Sequence, residues 1–473
     1  MNSFIIGFSE ECSFPEIIEK LVENKTITIG EWVTTNSRGT IDLFDFYLGR
    51  TFNNHDLPYS VPDAILEEVK KYIFEFSYVN SRSFLSHKYI SATRSDICQE
   101  THEFHKFVNL IFNIFIKKQI SLVLFQEIPH DGAEVILYRL AKVMKINTII
   151  LANLPHFWGR TILCYSLDDF GKFDQTPALS DVADDFKFNQ KKFQSKMFYM
   201  KHVEGYVEKN KLLEDVVKKL ESKLFFKTLL KPFLSKEKFL KLQLKFANAI
   251  LQRDKIAEYK NNIESIIDNN PDLTKKYIYF ALHLDPEVPT MEVLAERYYD
   301  QVFALEKLSQ IVPKDVMIYA KDNPKQTDLF RPAQFFDRIK KLKNVKMVNA
   351  NTNKLIENSC CIATIAGTVG WEAITSGKSM ISFGKPWYRG FPGVFPFDEI
   401  LDINEVINYK PNINDIEKSV QKLLTKTSEG MIYFAFQNKD YSIKEIYENY
   451  DRSENITKLT SSITKMIQHL KQN

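Results

Sequence analysis

The stretch Cys361-Ile-Ala-Thr-Ile-Ala-Gly-Thr-Val-Gly-Trp-Glu-Ala373 decides the fold class of this chain. Its apolar run ends at Ile365, small residues follow, and a helical pattern then opens, so the sequence predicts a strand, a tight turn and a helix. Small residues let a ligand approach the backbone closely, and the first N–H groups of a helix suit a phosphate. We predict that Gly367 and Thr368 face a phosphate and that Glu372, on the first helical turn, binds ribose hydroxyls.

A second interpretation of this stretch stays open. A tight turn between strand and helix, with Glu372 only complementing the helix dipole, would produce the same pattern. The pattern of this stretch alone does not choose between a phosphate site and a structural turn, so the sequence on either side has to be considered.

Strands and helices alternate on both sides of the stretch. The strand patterns are Lys276–Leu282, Val316–Ala320, Val345–Asn349, Cys361–Ile365 and Met380–Phe383. The helical patterns between them are Met291–Ile311, Phe335–Lys343, Thr352–Asn358 and Val369–Gly377. This alternation is typical of a parallel sheet with crossover helices, so we predict a Rossmann-like unit.

The first third of the chain shows the same alternation. Its strand patterns are Phe4–Phe8, Thr26–Val33, Ile120–Phe125 and Asn147–Leu151, with helical patterns at Pro15–Asn24 and Ala133–Met144. A chain of 473 residues exceeds the size of a single hydrophobic core. We predict the α/β class with a GT-B-like architecture, in which two Rossmann-like domains face each other across a cleft. Glycosyltransferases and several sugar epimerases share it, so the fold does not choose between them.

The predicted domains are an N-terminal Rossmann-like domain at 1–180, a Lys-rich helical segment at 181–270 and a C-terminal Rossmann-like domain at 271–411. We expect helices at 412–473 that pack back on the N-terminal domain. Within the middle segment, Leu224–Leu251 mixes Phe and Leu with many lysines. It is either a basic amphipathic surface for anionic lipid or a helical hairpin packed on its neighbour.

Polar side chains are clustered in the loops that follow two strands of the second unit. The first loop carries His283, Asp285, Glu287 and Thr290, and the second carries Lys321 and Asn323. Loops after strands of a parallel sheet form its binding edge, so Lys321 is placed to neutralise a phosphate. The alternatives are a loop that caps the next helix and a solvated loop.

The first unit has a comparable loop, Phe125-Gln-Glu-Ile-Pro-His-Asp-Gly132. Glu127, His130 and Asp131 can each move a proton, and the carboxylates can act as nucleophile or stabilise a cation. We predict a catalytic role for this group. Asp131 has the alternative of capping the helix that starts at Ala133.

Composition excludes several classes of protein. A net charge of +3 argues against a dedicated nucleic-acid binder. The five cysteines have no C-x-x-C spacing, which favours a reducing cytoplasm, and no apolar run is long enough for a membrane span or a signal peptide. There is no Asp-x-Asp triplet, phosphate-loop motif or G-x-S-x-G elbow, and His102 and His105 lack a third metal ligand. We therefore expect no metal.

Several of these segments together resemble the bacterial capsule polysaccharide biosynthesis family. Phe280-Ala-Leu-His-Leu-Asp-Pro-Glu287 and Ala363-Thr-Ile-Ala-Gly-Thr-Val-Gly-Trp-Glu372 look like its two most recognisable blocks. Ser382-Phe-Gly-Lys-Pro-Trp-Tyr388 and Glu127-Ile-Pro-His-Asp131 are similar to two further blocks. The family includes transferases that use CMP-activated Kdo and, in related proteins, CMP-activated nonulosonic acids.

One position departs from the family pattern. Lys321-Asp-Asn-Pro324 stands where the family usually has Lys-x-His-Pro. By resemblance, that His would contact the donor phosphate or help the nucleotide leave. Asn323 can donate a hydrogen bond but carries no charge, so either Lys321 and His283 supply it, or the donor or activity has diverged.

The resemblance implies a metal-independent glycosyltransferase of capsule or lipopolysaccharide synthesis, with no cofactor and a CMP-linked keto-sugar acid as donor. The expected donor-binding residues are His283, Glu287, Lys321, Asn323, Gly367, Thr368 and Glu372. The expected partners are that donor and a glycan or lipid-linked glycan acceptor, with no nucleic acid. The expected location is the cytoplasm, with the cytoplasmic face of the inner membrane left open. A nucleotide-sugar epimerase and a non-catalytic scaffold are the alternatives.

Overall fold

The fold is described from a computed structural model of the chain. The residues described are 1–7, 12–35, 39–43, 46, 59–72, 97–130, 132–154, 156–157, 159–182, 258–285, 292–324, 326, 331–432 and 451–472. Most of the predicted Lys-rich segment, including Leu224–Leu251, lies outside these residues, as do Asp131, Glu287 and Thr290.

The first sheet has the strand order β14-β6-β5-β4-β1-β2-β3. Its strands are β1 (Asn2–Ile6), β2 (Thr28–Thr34), β3 (Ile41–Asp42), β4 (Leu122–Phe125), β5 (Asn147–Asn153), β6 (Arg160–Cys164) and β14 (Thr427–Glu429). Strands β1 to β5 are parallel, whereas β6 pairs antiparallel with β5 and with β14. The chain builds outward from β1 to β3 and then returns to β4, so the strand order reverses between β1 and β4.

The second sheet has the order β13-β12-β11-β8-β9-β10-β7, and each of its pairings is parallel. Its strands are β7 (Ile267–Asp268), β8 (Tyr277–Ala281), β9 (Met317–Lys321), β10 (Val345–Val348), β11 (Cys361–Thr364), β12 (Met380–Ser382) and β13 (Val394–Pro396). Here the order reverses between β8 and β11. In open α/β sheets, ligands bind in the crevice at such a reversal, beyond the carboxyl ends of the strands.

Helices connect the strands and cover the sheets. In the first part they are α1 (Phe14–Glu23), α2 (Asp63–Tyr72), α3 (Ile97–Lys117) and α4 (Gly132–Val143). They continue with α5 (Glu292–Ala295), α6 (Gln301–Ile311), α7 (Ala333–Lys340), α8 (Thr352–Asn358) and α9 (Thr368–Thr375). The last three are α10 (Ile403–Asn408), α11 (Ile413–Thr425) and α12 (Arg452–Gln472).

The predicted α/β class with two Rossmann-like units is confirmed, and the architecture is GT-B-like. Alternate residues of the second sheet face opposite layers: Tyr277 and Tyr279 pack in one core cluster, while Ile278 and Phe280 pack in another. Both faces of a parallel sheet are covered in this way, which explains the nearly continuous apolar runs of its strands.

One predicted helix is wrong. The pattern Met291–Ile311 is divided into α5, a 3₁₀ turn at Glu296–Tyr299, and α6. Glu296 has a positive φ of 51°, and the side chain of Asp300 accepts hydrogen bonds from the N–H groups of Val302 and Phe303, which starts a new helix.

The two units are in direct contact. The ring centroid of His156, from the turn after β5, lies 6.1 Å from that of Trp371 and 6.3 Å from that of Trp387 in the second unit. At the end of the chain, β14 joins the first sheet and α12 packs on α1. The hydroxyl of Tyr165 donates to the carbonyl of Met466 at 2.9 Å.

Candidate active site

His283 lies at the strand-order reversal of the second sheet, immediately after β8. Its Nε2 is 3.0 Å from Thr364 Oγ1 at the end of β11 and accepts a hydrogen bond from the N–H of Ala366 at 3.3 Å. Its own N–H donates to Gln301 Oε1 at 2.7 Å. His283 therefore joins the two strands on either side of the crevice.

The environment of His283 determines the charge of its ring in this structure. Burial lowers the pKa of its imidazole from 6.5 to about 4. The ring is neutral at physiological pH because desolvation disfavours the charged form. As a neutral ring, His283 positions the turn after β11 through its hydrogen bonds to Thr364 and Ala366.

The turn between β11 and α9 remains partly open. Residues 366–369 are all of intermediate exposure, and Gly367 is the residue that caps α9, with Thr368 as the first helical residue. A Cβ at position 367 would lie 2.8 Å from His283 Cε1, so only glycine fits beside this ring. The arrangement leaves helical N–H groups at the carboxyl edge of the sheet, as an anion site requires.

Glu372 lies deeper in α9 than its sequence position suggested. It is the fifth residue of the helix, on the second turn and not the first, because α9 begins at Thr368. Its carboxylate is half-buried, and no hydrogen bond or ion pair is formed by it among the described residues. Burial raises the pKa of this carboxylate. An unpartnered carboxylate in such a place is poised to accept hydrogen bonds from a ligand.

Tyr279 and Thr352 are site residues that the sequence analysis missed. Tyr279 lies on the sheet face below α9, with Thr352 within hydrogen-bonding reach and Glu372 close enough to affect its titration. The pKa of Tyr279 is raised, first by burial and also by the Glu372 charge, against a lowering by Thr352. Tyr279 therefore links the α8 and α9 ends of the site. Its position inside an apolar strand pattern gave no indication of this.

Lys321 stands at the end of β9 and holds the start of α8. Its Nζ donates to the carbonyl of Ala350 at 2.8 Å and to Thr352 Oγ1 at 2.9 Å. Burial lowers the pKa of this ammonium group. Two of its three N–H donors are used, both on neutral acceptors, so its charge is not balanced by a carboxylate of the described residues.

Arg331 is a further residue that the sequence analysis missed. It is buried, hydrogen bonded to the Asp285 carboxylate, and 3.2 Å from Asp322 Oδ1. It also donates to the carbonyl of His283 at 2.8 Å. This cluster fixes the loops after β8 and β9, and its one guanidinium is shared by two carboxylates. Asn323 follows directly, and its N–H donates to Asp322 Oδ1 at 2.9 Å.

The first unit places Glu127 and His130 in the loop after β4, both partly buried. His130 Nδ1 lies 2.8 Å from the carbonyl of Ile128, and the N–H of His130 donates to Glu134 Oε2 at 3.2 Å. Glu134, on the first turn of α4, was not singled out from the sequence. The loop follows the strand next to the other reversal, between β1 and β4.

The buried side chain of Gln126 lies at the same reversal. A Cβ on Gly7, just after β1, would fall 2.5 Å from Gln126 Cβ, so glycine is needed for the two strand ends to meet. Within the described ranges, no group of three or more His, Cys, Asp or Glu side chains could hold a metal ion. In the part of the chain that the structure describes, no helix has the length and apolar character to cross a bilayer.

The chain has two Rossmann-like sheets, each with polar side chains at the point where its strand order reverses. This arrangement places the protein in the α/β class with a GT-B-like architecture. Residues 300–428 match the family model described as "Capsule polysaccharide biosynthesis protein". The match spans β9 to β14, including Lys321, Gly367 and Glu372, and it confirms the resemblance to this family. No curated protein sequence matches the chain.

Solved structures with a similar arrangement include two transferases and an epimerase. The beta Kdo 2,7 transferase of Thermosulfurimonas dismutans KpsC matches at 12% identity and a TM-score of 0.30, over 80% of this chain and 94% of that one. The beta Kdo 2,4 transferase of the same KpsC matches at 12% identity and a TM-score of 0.27, over 71% and 87%. UDP-GlcNAc 2-epimerase of Methanocaldococcus jannaschii matches at 14% identity and a TM-score of 0.22, over 95% and 100%. Similarities this low do not identify an activity.

Proposed function

We propose that this protein is a metal-independent glycosyltransferase of bacterial capsule polysaccharide biosynthesis. The donor is a nucleotide-activated sugar, a CMP-linked keto-sugar acid, and the acceptor is a glycan. The second unit binds the nucleotide and the first unit binds the acceptor.

The observation that carries this proposal is the pairing of an open turn with a carboxylate that has no partner among the described residues. The turn at 366–369 offers helical N–H groups to a phosphate, and Glu372 follows one turn later. Both lie beside the strand-order reversal and within the residues that match the capsule family. A phosphate on the turn with a ribose toward Glu372 uses both features of this site.

The charge balance supports a donor with a single phosphate. Among the described residues, Lys321 brings one ammonium group without a carboxylate partner, whereas Arg331 is paired with both Asp285 and Asp322. His283 is neutral. One ammonium group that no described carboxylate pairs with, together with a helix N-terminus, suits the single phosphate of a CMP-sugar better than the two of a UDP-sugar.

The proposed catalytic residues are in the loop after β4: Glu127, His130 and Asp131. Cleavage of a sugar–phosphate bond passes through a state with positive charge at the anomeric carbon, which a nearby carboxylate stabilises. Glu127 or Asp131 would serve in that role, and His130 would take the proton from the attacking acceptor hydroxyl. Single Ala substitutions are expected to lower turnover by about 10²- to 10⁴-fold if the residue is the acid or base.

The test is a nucleotide-binding panel. CMP should raise the melting temperature of the wild-type protein more than CDP, UDP or GDP, since a ligand that binds only the folded state stabilises it. Glu372→Gln should weaken calorimetric binding of CMP. Glu357→Gln, an exposed carboxylate on α8, is the matched control and should bind as wild type. Equal CMP affinity in all three proteins would remove the assigned role of Glu372.

Product analysis separates transferase from epimerase. Incubated with donor alone, an epimerase alters the sugar, whereas a transferase of this kind needs an acceptor glycan for its product. Full turnover after dialysis against EDTA is expected for metal-independent transfer. Loss of turnover that Mg²⁺ or Mn²⁺ restores would contradict that part of the proposal.

A further inference from the structure

We propose that Tyr388 is a positioning residue for the phosphate-binding turn, acting through the carbonyl of Gly367. The proposal rests on the function proposed above and adds a residue outside the group that contacts the donor. Tyr388 belongs to the loop after β12.

The contact is specific to the hydroxyl of Tyr388. This hydroxyl donates to the carbonyl of Gly367, the residue that caps α9. The same carbonyl accepts the N–H of Gly370 at 3.1 Å. The loop after β12 is therefore tied to the last residue before the helical N–H groups.

Gly370 makes the contact geometrically feasible. A Cβ on Gly370 would overlap the Tyr388 hydroxyl and would lie 2.5 Å from Met380 Sδ. Its φ is not positive, so glycine is required here for space and not for backbone conformation. Because Gly370 has no side chain, the phenol of Tyr388 has the space to reach the turn.

The turn is thereby held from two sides. His283 accepts the N–H of Ala366 and packs against Gly367, while Tyr388 binds the Gly367 carbonyl. The Tyr388 ring is fully buried, with the ring of Trp371 at 6.0 Å and that of Trp387 at 5.1 Å. A backbone fixed in advance loses less conformational freedom when it binds an anion, so this clamp favours donor affinity.

The direct test is Tyr388→Phe, which removes the hydroxyl and keeps the ring. CMP binding should weaken by about 3- to 10-fold, the range expected for one hydrogen bond. The KM for donor should rise by a similar factor with little change in kcat, because the chemical groups are untouched. Hydrogen exchange of the amides at 366–369 should become faster in the free protein.

Tyr298→Phe is the matched control. Tyr298 is buried in the same unit, but its hydroxyl has no hydrogen-bond partner in the part of the chain that the structure describes. Its loss should leave CMP affinity and exchange at 366–369 unchanged. If Tyr388→Phe and Tyr298→Phe behave alike, Tyr388 contributes only packing and the inference is overturned.

Gly370→Ala provides a second, independent measurement. The added methyl should displace the Tyr388 hydroxyl and weaken CMP binding, but should cost little further affinity in the Tyr388→Phe background. Additive losses in the double variant would contradict the proposed contact. A wild-type protein that binds no nucleotide would instead defeat the proposed function, while the exchange data would still test the clamp.

Discussion

The ammonium group of Lys385 lies 3.1 Å from the carboxylate of Asp168, so the loop after β12 is ion paired with the first unit. The same Nζ is 2.8 Å from Glu296, at the break between α5 and the 3₁₀ turn. Burial opposes ionisation of Asp168, but Lys385 holds the pKa of that carboxylate below its ordinary value. Lys385, three residues before Tyr388 in the same loop, therefore connects the two units.

Lys385→Met should lower the free energy of unfolding by about 1 kcal/mol. The burial of the lysine strengthens its two ion pairs, but both carboxylates are largely exposed, so solvent limits the gain. Urea denaturation at low ionic strength measures this loss. Lys276→Met is the control, since the Lys276–Asp315 pair is exposed on both sides and should contribute less to stability. Equal losses in the two variants would show that the Lys385 contacts add nothing beyond a surface pair.

Arg331→Met should be severe, with a loss of about 3–5 kcal/mol, because it leaves Asp285 and Asp322 without their buried counter-charge. Arg338→Met is the comparison: that guanidinium pairs with Asp300 and Glu306 but is 35% exposed, so its loss should be nearer 1 kcal/mol. Guanidinium chloride unfolding of both variants is the measurement. A small effect of Arg331→Met would mean that the loops after β8 and β9 are held by other contacts.

His156 predicts a pH dependence of stability. Burial lowers its pKa from 6.5 to about 4, so below pH 6.5 the unfolded state binds a proton that the folded state resists. Stability should therefore fall as pH drops from 6.5 towards 4 and be independent of His156 above that range. Asn tolerates the positive φ of 68° at this position and does not titrate.

The comparison of wild type with His156→Asn isolates this effect, because His283 titrates in the same window in both proteins. The stability difference should move in favour of Asn by up to about 1.4 kcal/mol per pH unit between pH 6.5 and 4. A difference that stays constant from pH 8 to pH 4 would contradict the buried, neutral state of His156.

Glu372→Gln should stabilise the free protein at pH 7 while it weakens nucleotide binding. Burial raises the pKa of the carboxylate above 4.5, so its ionised form is unfavourable in the folded state. The penalty appears as pH rises through 4.5 to the folded pKa and is constant at higher pH. Thermal unfolding at pH 7 and at pH 4 should therefore show a gain for Gln only at pH 7. A less stable Gln variant at pH 7 would indicate that Glu372 has a structural partner.

Sequence periodicity predicted much of the second sheet. The helix Thr352–Asn358 agrees with the structure at both ends, and the five predicted strands of that unit agree within a residue or two at each end. Strands β7 and β13 were not predicted, and β7 (Ile267–Asp268) lies at the end of the segment 181–270 that was predicted to be helical. The failure at Met291–Ile311 has a local cause, because Glu296 adopts a positive φ and Asp300 starts a new helix inside a continuous apolar pattern. Strand β14 was hidden within a tail that resembled helix throughout.

The candidate site was predicted less completely. The polar residues after strands pointed to Lys321, Gly367 and Glu372, since the carboxyl ends of parallel strands must share one edge. The neutral state of His283 was not foreseeable, because it depends on burial that His283 shares with Thr364 and Gln301, residues distant in the sequence. Tyr279 was not singled out, because it lies inside the apolar strand pattern Lys276–Leu282.

By itself, the sequence determined the alternation of strands and helices in the two α/β units and the glycine turn before α9. These follow from local periodicity and from the backbone freedom of glycine. Only the tertiary structure decided which distant groups meet: Tyr388 with Gly367, Arg331 with Asp285, and Lys385 with Asp168. Such pairs depend on burial and on the removal of water, which arise when segments pack together and leave no periodic trace in the chain.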